Sequence, residues 1–159
     1  MTEPVRPFGI EYDPLAGERI AQVTAGHPYF AQLVLHEMMV YHNETERNYL
    51  TLSDVEKVIE RILQRGEAHF KHIWAESTVD EREVLTGIAA LLNGSGVVAG
   101  GDLRAYLAQR GYESADDWQT ALTSLTGREI LTASNERVAR YRYKIDLIRH
   151  WIEQTRPAL

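Results

Sequence analysis

The chain contains no cysteine, which excludes disulfide bonds and thiolate metal ligands. It also lacks any run approaching the roughly 18 apolar residues of a membrane span. Its first residues have neither the basic nor the apolar region of a secretory signal peptide. We therefore expect a cytoplasmic protein without membrane contact. Its 159 residues, 44% hydrophobic and 25% charged, fit one ordinary globular domain or two small ones.

The sequence motifs of common enzymes are absent as well. A phosphate-binding loop ends in Gly-Lys-Ser/Thr because backbone amides cradle the phosphates and the lysine reaches their charge. None of the three lysines, Lys57, Lys71 and Lys144, follows a glycine. No Gly-x-Ser-x-Gly turn for a nucleophilic serine is present either. We therefore predict that the chain is not an enzyme by itself, with no catalytic residues, no metal site and no cofactor of its own.

Acidic and basic residues are unevenly distributed. Residues 1–96 carry 8 Lys/Arg and 15 Asp/Glu, a net charge of -7, whereas residues 97–159 carry 9 and 8, a net charge of +1; the two sum to -6. An acidic half repels the nucleic-acid backbone. The sequence shows no generally basic DNA-binding surface, only a local cluster between Arg137 and Lys144.

The spacing of apolar residues predicts a helical first half, residues 1–78. Residues 1–12 lack periodicity and are predicted to be extended, and Asp13 is predicted to cap a helix that begins at Pro14. Ser53 and Glu56 form a capping-box pattern. The predicted helices are 14–24, 28–42, one that starts at the capping box and ends at Gly66, and 68–77, with a polar loop over 43–49.

The pattern changes from residue 79 onward. The predicted order is a helix from Asp80, a turn at 93–96, a short strand at 97–99, a helix after Asp102 that closes at Gly111, a helix over 114–125, strands at 129–133 and 138–145, and a final helix. This order is that of a winged helix-turn-helix. The predicted fold class is therefore mainly α, with a helical bundle over residues 1–78 and a winged helix with a small antiparallel β-hairpin over residues 79–159.

The tripeptide Gly26-His27-Pro28 lies between the first two predicted helices. A helix N-terminus exposes backbone amides and a positive dipole, which suits an anion or the edge of a purine. The same residues also fit a simple boundary between two helices, since glycine commonly ends a helix and proline commonly begins one. The residues alone favour a helix boundary over a ligand contact, and both interpretations stay open.

A winged helix usually binds DNA by placing its third helix in the major groove, with wing cations on phosphates. Here that helix contains Asp116 and Asp117 and no lysine or arginine, and acidic groups repel phosphate. We therefore place protein docking ahead of DNA binding. The candidate contacts for a partner or a nucleic acid are Gln119, Thr123, Arg137, Arg140, Arg142 and Lys144.

Parts of the sequence resemble AAA-type ATPases of the STAND and Orc/Cdc6-like groups. Pro4-Val5, residues 9–12 (GIEY) and residues 24–33 (TAGHPYFAQL) are similar to their lid subdomain, in which a Gly-x-Pro turn opens a helix. Ala25 stands where the longer form of this motif has its first glycine. Residues 141–151 (YRYKIDLIRHW) resemble the last strand and helix of the winged helix that follows such lids.

The resemblance implies a lid-like first domain that closes over nucleotide. Gly26, His27 and Pro28 would then lie near the nucleotide of the parent protein. ATP and Mg²⁺ would be held by an upstream ATPase core of the same polypeptide, so that Met1 would lie within a longer protein.

The expected function is a non-catalytic C-terminal regulatory and interaction module of a larger ATPase. In this module the lid closes on nucleotide, and the winged helix docks an unidentified protein partner or its own core. The alternative is a DNA-binding winged helix that contacts phosphates through the wing. Affinity that falls steeply with salt would be the mark of the alternative.

Overall fold

The computed structural model describes residues 11–65, 68–92, 96–112 and 115–157. These residues form eight helices: α1 Pro14–Thr24, α2 Pro28–Thr45, α3 Leu52–Arg65, α4 Ala68–Glu76, α5 Val79–Leu91, α6 Gly100–Ala108, α7 Ala115–Gly127 and α8 Asp146–Thr155. They also form five short strands: β1 Glu11–Tyr12, β2 Tyr49–Leu50, β3 Val98–Ala99, β4 Leu131–Ala133 and β5 Arg140–Tyr143. The predicted fold class, mainly α with a small antiparallel β-hairpin, is confirmed. No helix in the described ranges is both long and apolar enough to cross a lipid bilayer.

The chain divides into two compact units. The first comprises Met1–Glu67 and Ile145–Leu147, and the second comprises Ala68–Lys144 and Ile148–Leu159. Helix α4 therefore belongs to the second unit, where Phe70 stacks on Trp151 at a centroid distance of 5.8 Å. The assignment of a lid to residues 1–78 and a winged helix to residues 79–159 stays a prediction.

The first unit contains α1, α2 and α3, whose apolar faces pack together. Helices α1 and α2 follow the predicted spacing. Their fully buried residues include Ala16, Val23, Phe30 and Val34, and α3 contributes Val55 and Val58. Burial of these side chains is the main stabilising term, since each large aliphatic group removed from water contributes about 1.5–3 kcal/mol.

Strands β1 and β2 form a short parallel pair that the sequence analysis did not predict. Glu11 lies opposite Tyr49, and Tyr12 lies opposite Leu50. The N–H of Asp13 donates to the Leu50 carbonyl at 2.9 Å, and the Asp13 side chain accepts from the Leu15 N–H at the start of α1. The predicted cap at Asp13 is confirmed, and the segment before it is tied to the loop between α2 and α3.

The start of α3 differs from the prediction. The capping pair is not Ser53 with Glu56 but Thr51 with Asp54. The Thr51 N–H donates to Asp54 Oδ2 at 2.8 Å, and the Asp54 N–H donates back to Thr51 Oγ1 at 3.3 Å. The helix therefore begins at Leu52. The earlier pair is preferred because Asp54 is fully buried and can bring its carboxylate to the Thr51 amide.

From α5 onward, the chain has the predicted order of helix, short strand, two helices, hairpin and helix. The sheet that follows α5 is antiparallel in the order β3-β5-β4, so the last strand lies in the middle. Strand β5 alternates: Tyr141 and Tyr143 are buried, and Arg140 and Arg142 are exposed. The Tyr143 hydroxyl donates to the Leu85 carbonyl at 2.6 Å, which ties the sheet to α5.

Several predicted boundaries are shifted. Helix α2 continues past residue 42 to Thr45, because Glu46 adopts a left-handed conformation and its N–H closes the last turn on the His42 carbonyl. Helix α5 begins one residue before Asp80, since Thr78 and Glu81 form its capping box. Helix α6 begins at Gly100 rather than after Asp102, α7 runs over Ala115–Gly127 rather than 114–125, and β4 and β5 are shorter than predicted.

Some predictions lie outside the described residues. These are the extended conformation of residues 1–10, with the part of the resemblance that falls there, the helix end at Gly66, the turn at residues 93–95 and the helix start at Ser114.

Candidate functional site

The turn between α1 and α2 is built by two consecutive left-handed residues. Ala25 has φ +50° and Gly26 has φ +68°. The His27 N–H then donates to the Thr24 carbonyl at 2.9 Å, and Pro28 starts α2. An added Cβ at Gly26 would meet no heavy atom within 4 Å, so the glycine serves the backbone conformation and not a close contact.

His27 occupies the N-cap of α2 without using its side chain as a cap. Its ring packs edge-on against Phe30, with centroids 5.3 Å apart, while the residue as a whole stays exposed. Tyr29 next to it is 40% exposed. The turn therefore has two exposed rings, His27 and Tyr29, and each packs edge-on against Phe30 with a centroid distance of 5.3 Å.

Neither His27 nor Pro28 has a backbone N–H available to an anion. Anions bind helix N-termini through free N–H groups of the first turn. Pro28 has no N–H, and the His27 N–H already donates to Thr24.

The predicted basic residues lie on the β4–β5 hairpin, which we call the wing. Arg137 and Arg142 have no carboxylate within 4 Å among the described residues. Arg140 Nε lies 3.4 Å from Glu136 Oε2, and Lys144 Nζ lies 2.9 Å from Glu129 Oε1. Residues 129–144 contain four cations and two carboxylates, a net charge of +2, so the wing is only mildly basic.

The exposed face of the wing borders a cleft of about 290 Å³, which we call the wing cleft. Its lining is Val97, Thr132, Ala133, Ser134, Glu136, Arg140 and Arg142. Arg142 Nε donates to Thr132 Oγ1 at 3.2 Å across the strand pair. The Arg140 N–H donates to Ser134 Oγ at 3.1 Å. Thr132 and Ser134 were not among the predicted contacts, although their two-residue spacing places both on the face that carries the arginines.

The predicted contacts on α7 lie on its outer face. Gln119 and Thr123 are exposed, whereas Trp118 and Leu122 are buried. The Thr123 hydroxyl donates to the Gln119 carbonyl at 3.0 Å, so it is engaged with its own helix. Residues 115–127 include no lysine or arginine, and Arg128 just beyond them lies 3.1 Å from Glu81. This face has hydrogen-bonding groups but no cation to hold a phosphate.

A buried polar cluster, which the sequence analysis did not predict, lies between α2 and α3. Asp54 accepts hydrogen bonds from the Tyr41 hydroxyl at 3.0 Å and from Arg47 Nη1 at 2.9 Å, in addition to Thr51. Burial alone would raise the pKa of Asp54, but the hydrogen bonds from Thr51 and Tyr41 and the charge of Arg47 outweigh it and lower the pKa. The cluster fixes the loop that contains β2.

The chain was compared with family models, curated proteins and solved structures, and only solved structures give a similarity. No family model matches the chain, and no curated protein matches it. Among solved structures, the chain is similar to the Aeropyrum pernix ORC2 protein, which was determined as ADPNP-ADP complexes. The identity is 17%, the match covers 91% of this chain and 41% of that chain, and the TM-score is 0.42. The chain therefore spans less than half the length of that protein.

Proposed function

We propose that this chain is a non-catalytic regulatory and interaction module of a larger ATPase. The first unit would act as a lid that closes on nucleotide, and the second unit would act as a winged helix that docks a protein partner or the ATPase core. The lid role is supported by the resemblance of residues 24–33 to lid motifs and by the exposed rings of His27 and Tyr29 at that turn. ATP and Mg²⁺ would belong to the upstream core.

The observation that carries the docking role is the charge distribution of the second unit. A DNA-binding winged helix needs cations where the third helix meets the groove and where the wing meets the backbone. Helix α7 has none in its sequence. In the wing, Arg140 and Lys144 each have a carboxylate partner. A protein surface is therefore the better match for α7 and the wing.

The docking role is tested by titrating a fluorescent 20-base-pair duplex with the chain at about 50, 100 and 200 mM salt. We expect no saturable binding in the micromolar range at any of these salt concentrations. Micromolar binding that weakens steeply with salt, and that is lost in the Arg140→Ala/Arg142→Ala double variant, would reject the docking role.

The ATPase context is tested separately by the reading frame upstream of the Met1 codon. We expect it to encode a strand followed by a Gly-Lys-Ser/Thr loop. In that complete polypeptide, His27→Ala should weaken nucleotide binding while leaving the far-UV circular dichroism unchanged. A stop codon directly upstream of Met1 would contradict the ATPase context and leave the docking role to be judged by the DNA titration.

DNA binding through the wing is the second candidate. It is favoured by Arg137 and Arg142, which have no carboxylate within 4 Å among the described residues. Two such cations supply a modest, salt-sensitive attraction for phosphate. The duplex titration described above decides between the two candidates.

A further inference from the structure

The wing cleft combines two guanidinium groups with two hydroxyl groups on one face of the sheet. Arg140 and Arg142 both lie on the exposed side of β5, and Thr132 and Ser134 lie beside them on the β4 side. Val97 forms an apolar wall. The cleft of about 290 Å³ has room for one or two side chains of a partner.

The guanidinium group of Arg142 is held by a hydrogen bond from its Nε alone among the described residues. Its Nε donates to Thr132 Oγ1 at 3.2 Å, which orients the plane of the guanidinium and leaves the two Nη groups for a ligand. A planar fork of two N–H groups matches a carboxylate in bidentate geometry. Its partner Thr132 is fixed in turn by the register, since Thr132 lies directly opposite Arg142.

Arg140 can accept a new anion at little cost. Its Nε lies 3.4 Å from Glu136 Oε2, and the two side chains are 54% and 62% exposed. An exposed pair of this kind contributes little to stability, because solvent screens it and two flexible side chains must be ordered. An incoming carboxylate can therefore replace Glu136.

The spacing of the two arginines selects the ligand. Residues two apart on a strand project to the same face about 6.6 Å apart. An extended peptide with acidic residues at alternate positions presents its carboxylates at the same interval. We propose that the wing cleft binds an extended acidic segment of a partner protein, with carboxylates at positions i and i+2 on Arg140 and Arg142. This inference rests on the proposed docking role and names the chemistry of the partner.

A nucleic acid fits the cleft less well. Its phosphates continue along a backbone, so they need cations beyond the cleft, and the neighbouring helix α7 supplies none. Glu136 in the lining of the cleft also repels phosphate. A short acidic peptide needs to displace Glu136 only from Arg140. The charge arrangement therefore favours a local carboxylate pair over an extended polyanion.

The test uses the intact chain and two fluorescein-labelled peptides of equal charge, one with glutamate and threonine alternating and one with all its glutamates adjacent. We expect the alternating peptide to bind more tightly. Arg142→Glu and Arg140→Glu should each weaken its binding at least about tenfold, because hydrogen bonds to charged groups are lost. Arg104→Glu, an equal charge change at an exposed position of α6, is the matched control and should retain binding.

A second variant tests the same inference through an expected increase in peptide affinity. Glu136→Gln removes the competing carboxylate, so it should tighten binding of the alternating peptide while the fold, followed by circular dichroism, stays the same. Equal binding of the two peptides, or equal weakening by Arg104→Glu, overturns the inference because general charge attraction then explains the result. Absence of binding of both peptides and DNA overturns the inference alone, whereas salt-sensitive DNA binding lost in Arg142→Glu overturns the docking role as well.

Discussion

Asp54 fixes the start of α3 in the first unit through its hydrogen bonds. It is fully buried, and both of its oxygens accept hydrogen bonds. A buried carboxylate is tolerated only when its hydrogen bonds are satisfied. Its removal would leave the Thr51 N–H and the Tyr41 hydroxyl without their acceptors at the point where α3 starts.

We expect Asp54→Asn to lower the free energy of unfolding by about 2–3 kcal/mol. The amide NH₂ of asparagine would face the Thr51 N–H or the Tyr41 hydroxyl, which now donate hydrogen bonds to the carboxylate. Glu60→Gln on the exposed face of the same helix is the matched control and should change stability by less than about 0.5 kcal/mol. Urea unfolding followed by circular dichroism measures both. Equal effects of the two variants would show that Asp54 has no special role.

The lowered pKa of Asp54 gives this residue a defined pH dependence. Because the folded-state pKa lies below the unfolded value of about 4, folding favours the ionised carboxylate. The stabilising contribution is complete above that value and is lost as the pH falls through the folded-state pKa. The difference in stability between the wild-type chain and Asp54→Asn should therefore be constant from pH 5 to 7 and shrink below about pH 4. A difference that grows on acidification would contradict this sign.

The two left-handed residues before α2 should respond in different ways to substitution. Gly26→Ala should destabilise by about 1 kcal/mol, because φ +68° is strained for an L-residue although the Cβ would have space. Ala25→Gly should be close to neutral, because relief of a similar strain is offset by about 0.4–1 kcal/mol of added freedom in the unfolded chain. Thermal unfolding of both variants checks the pair, and a strongly destabilising Ala25→Gly would contradict the backbone argument.

Residue-level prediction from the sequence succeeded where one pattern dominates. Arginine and tyrosine alternate over residues 140–143, which is typical of a half-buried strand, and the structure exposes Arg140 and Arg142. Prediction failed where two patterns compete, since both Thr51/Asp54 and Ser53/Glu56 have capping spacing and only burial distinguishes them. The ion pairs of Arg140 and Lys144 depend on side-chain positions that no spacing specifies.

At the scale of elements, α5 and α6 pack closely because Gly87 lacks a side chain. A Cβ at this position would lie 2.9 Å from the Tyr106 ring and 3.3 Å from Leu103 Cδ1. Arg110 packs on the same Tyr106 ring, with its guanidinium carbon 4.6 Å from the ring centroid. The helix separation is therefore specified by one glycine and one tyrosine.

We expect Gly87→Ala to be destabilising. Alanine gains about 1 kcal/mol in helix propensity, but overpacking costs about 1–3 kcal/mol, so the clash with Tyr106 should dominate. Gly87→Ala combined with Tyr106→Ala should be more stable than the sum of the single changes predicts, which a double-mutant cycle measures. Strict additivity would contradict a direct contact between the two positions.

Short elements were the hardest to predict. Helices of nine or more residues have a visible apolar period, and all eight were expected in roughly their observed places. Strands β1 and β2 pair over only two residues each, which is too short for an alternating pattern. Their pairing joins residues nearly 40 positions apart, and sequence spacing alone does not encode such a contact.

At the scale of the whole molecule, the two units can be followed by separate signals. All three tryptophans, Trp74, Trp118 and Trp151, lie in the second unit. Tryptophan fluorescence therefore reports on that unit, whereas far-UV circular dichroism reports on helices of both.

In the Asp54→Asn variant we expect the two signals to separate on urea unfolding. The circular dichroism should begin to fall at a lower urea concentration than the fluorescence changes, because the contacts of Asp54 lie in the first unit. Coincident curves in this variant would show that the two units unfold as one cooperative body.

The parallel pair of β1 and β2 also determines how the chain carries mechanical load. A force applied along the axis of β1 loads the hydrogen bonds from Glu11 to Asn48 and from Asp13 to Leu50 in shear, so that both share it. Part of the tension passes to β2 and from there to the Asp54 cluster, and the rest passes to the cap of α1 at Asp13. A displacement of β1 would therefore reach α1 and α3 together, because β1 is connected to both helices.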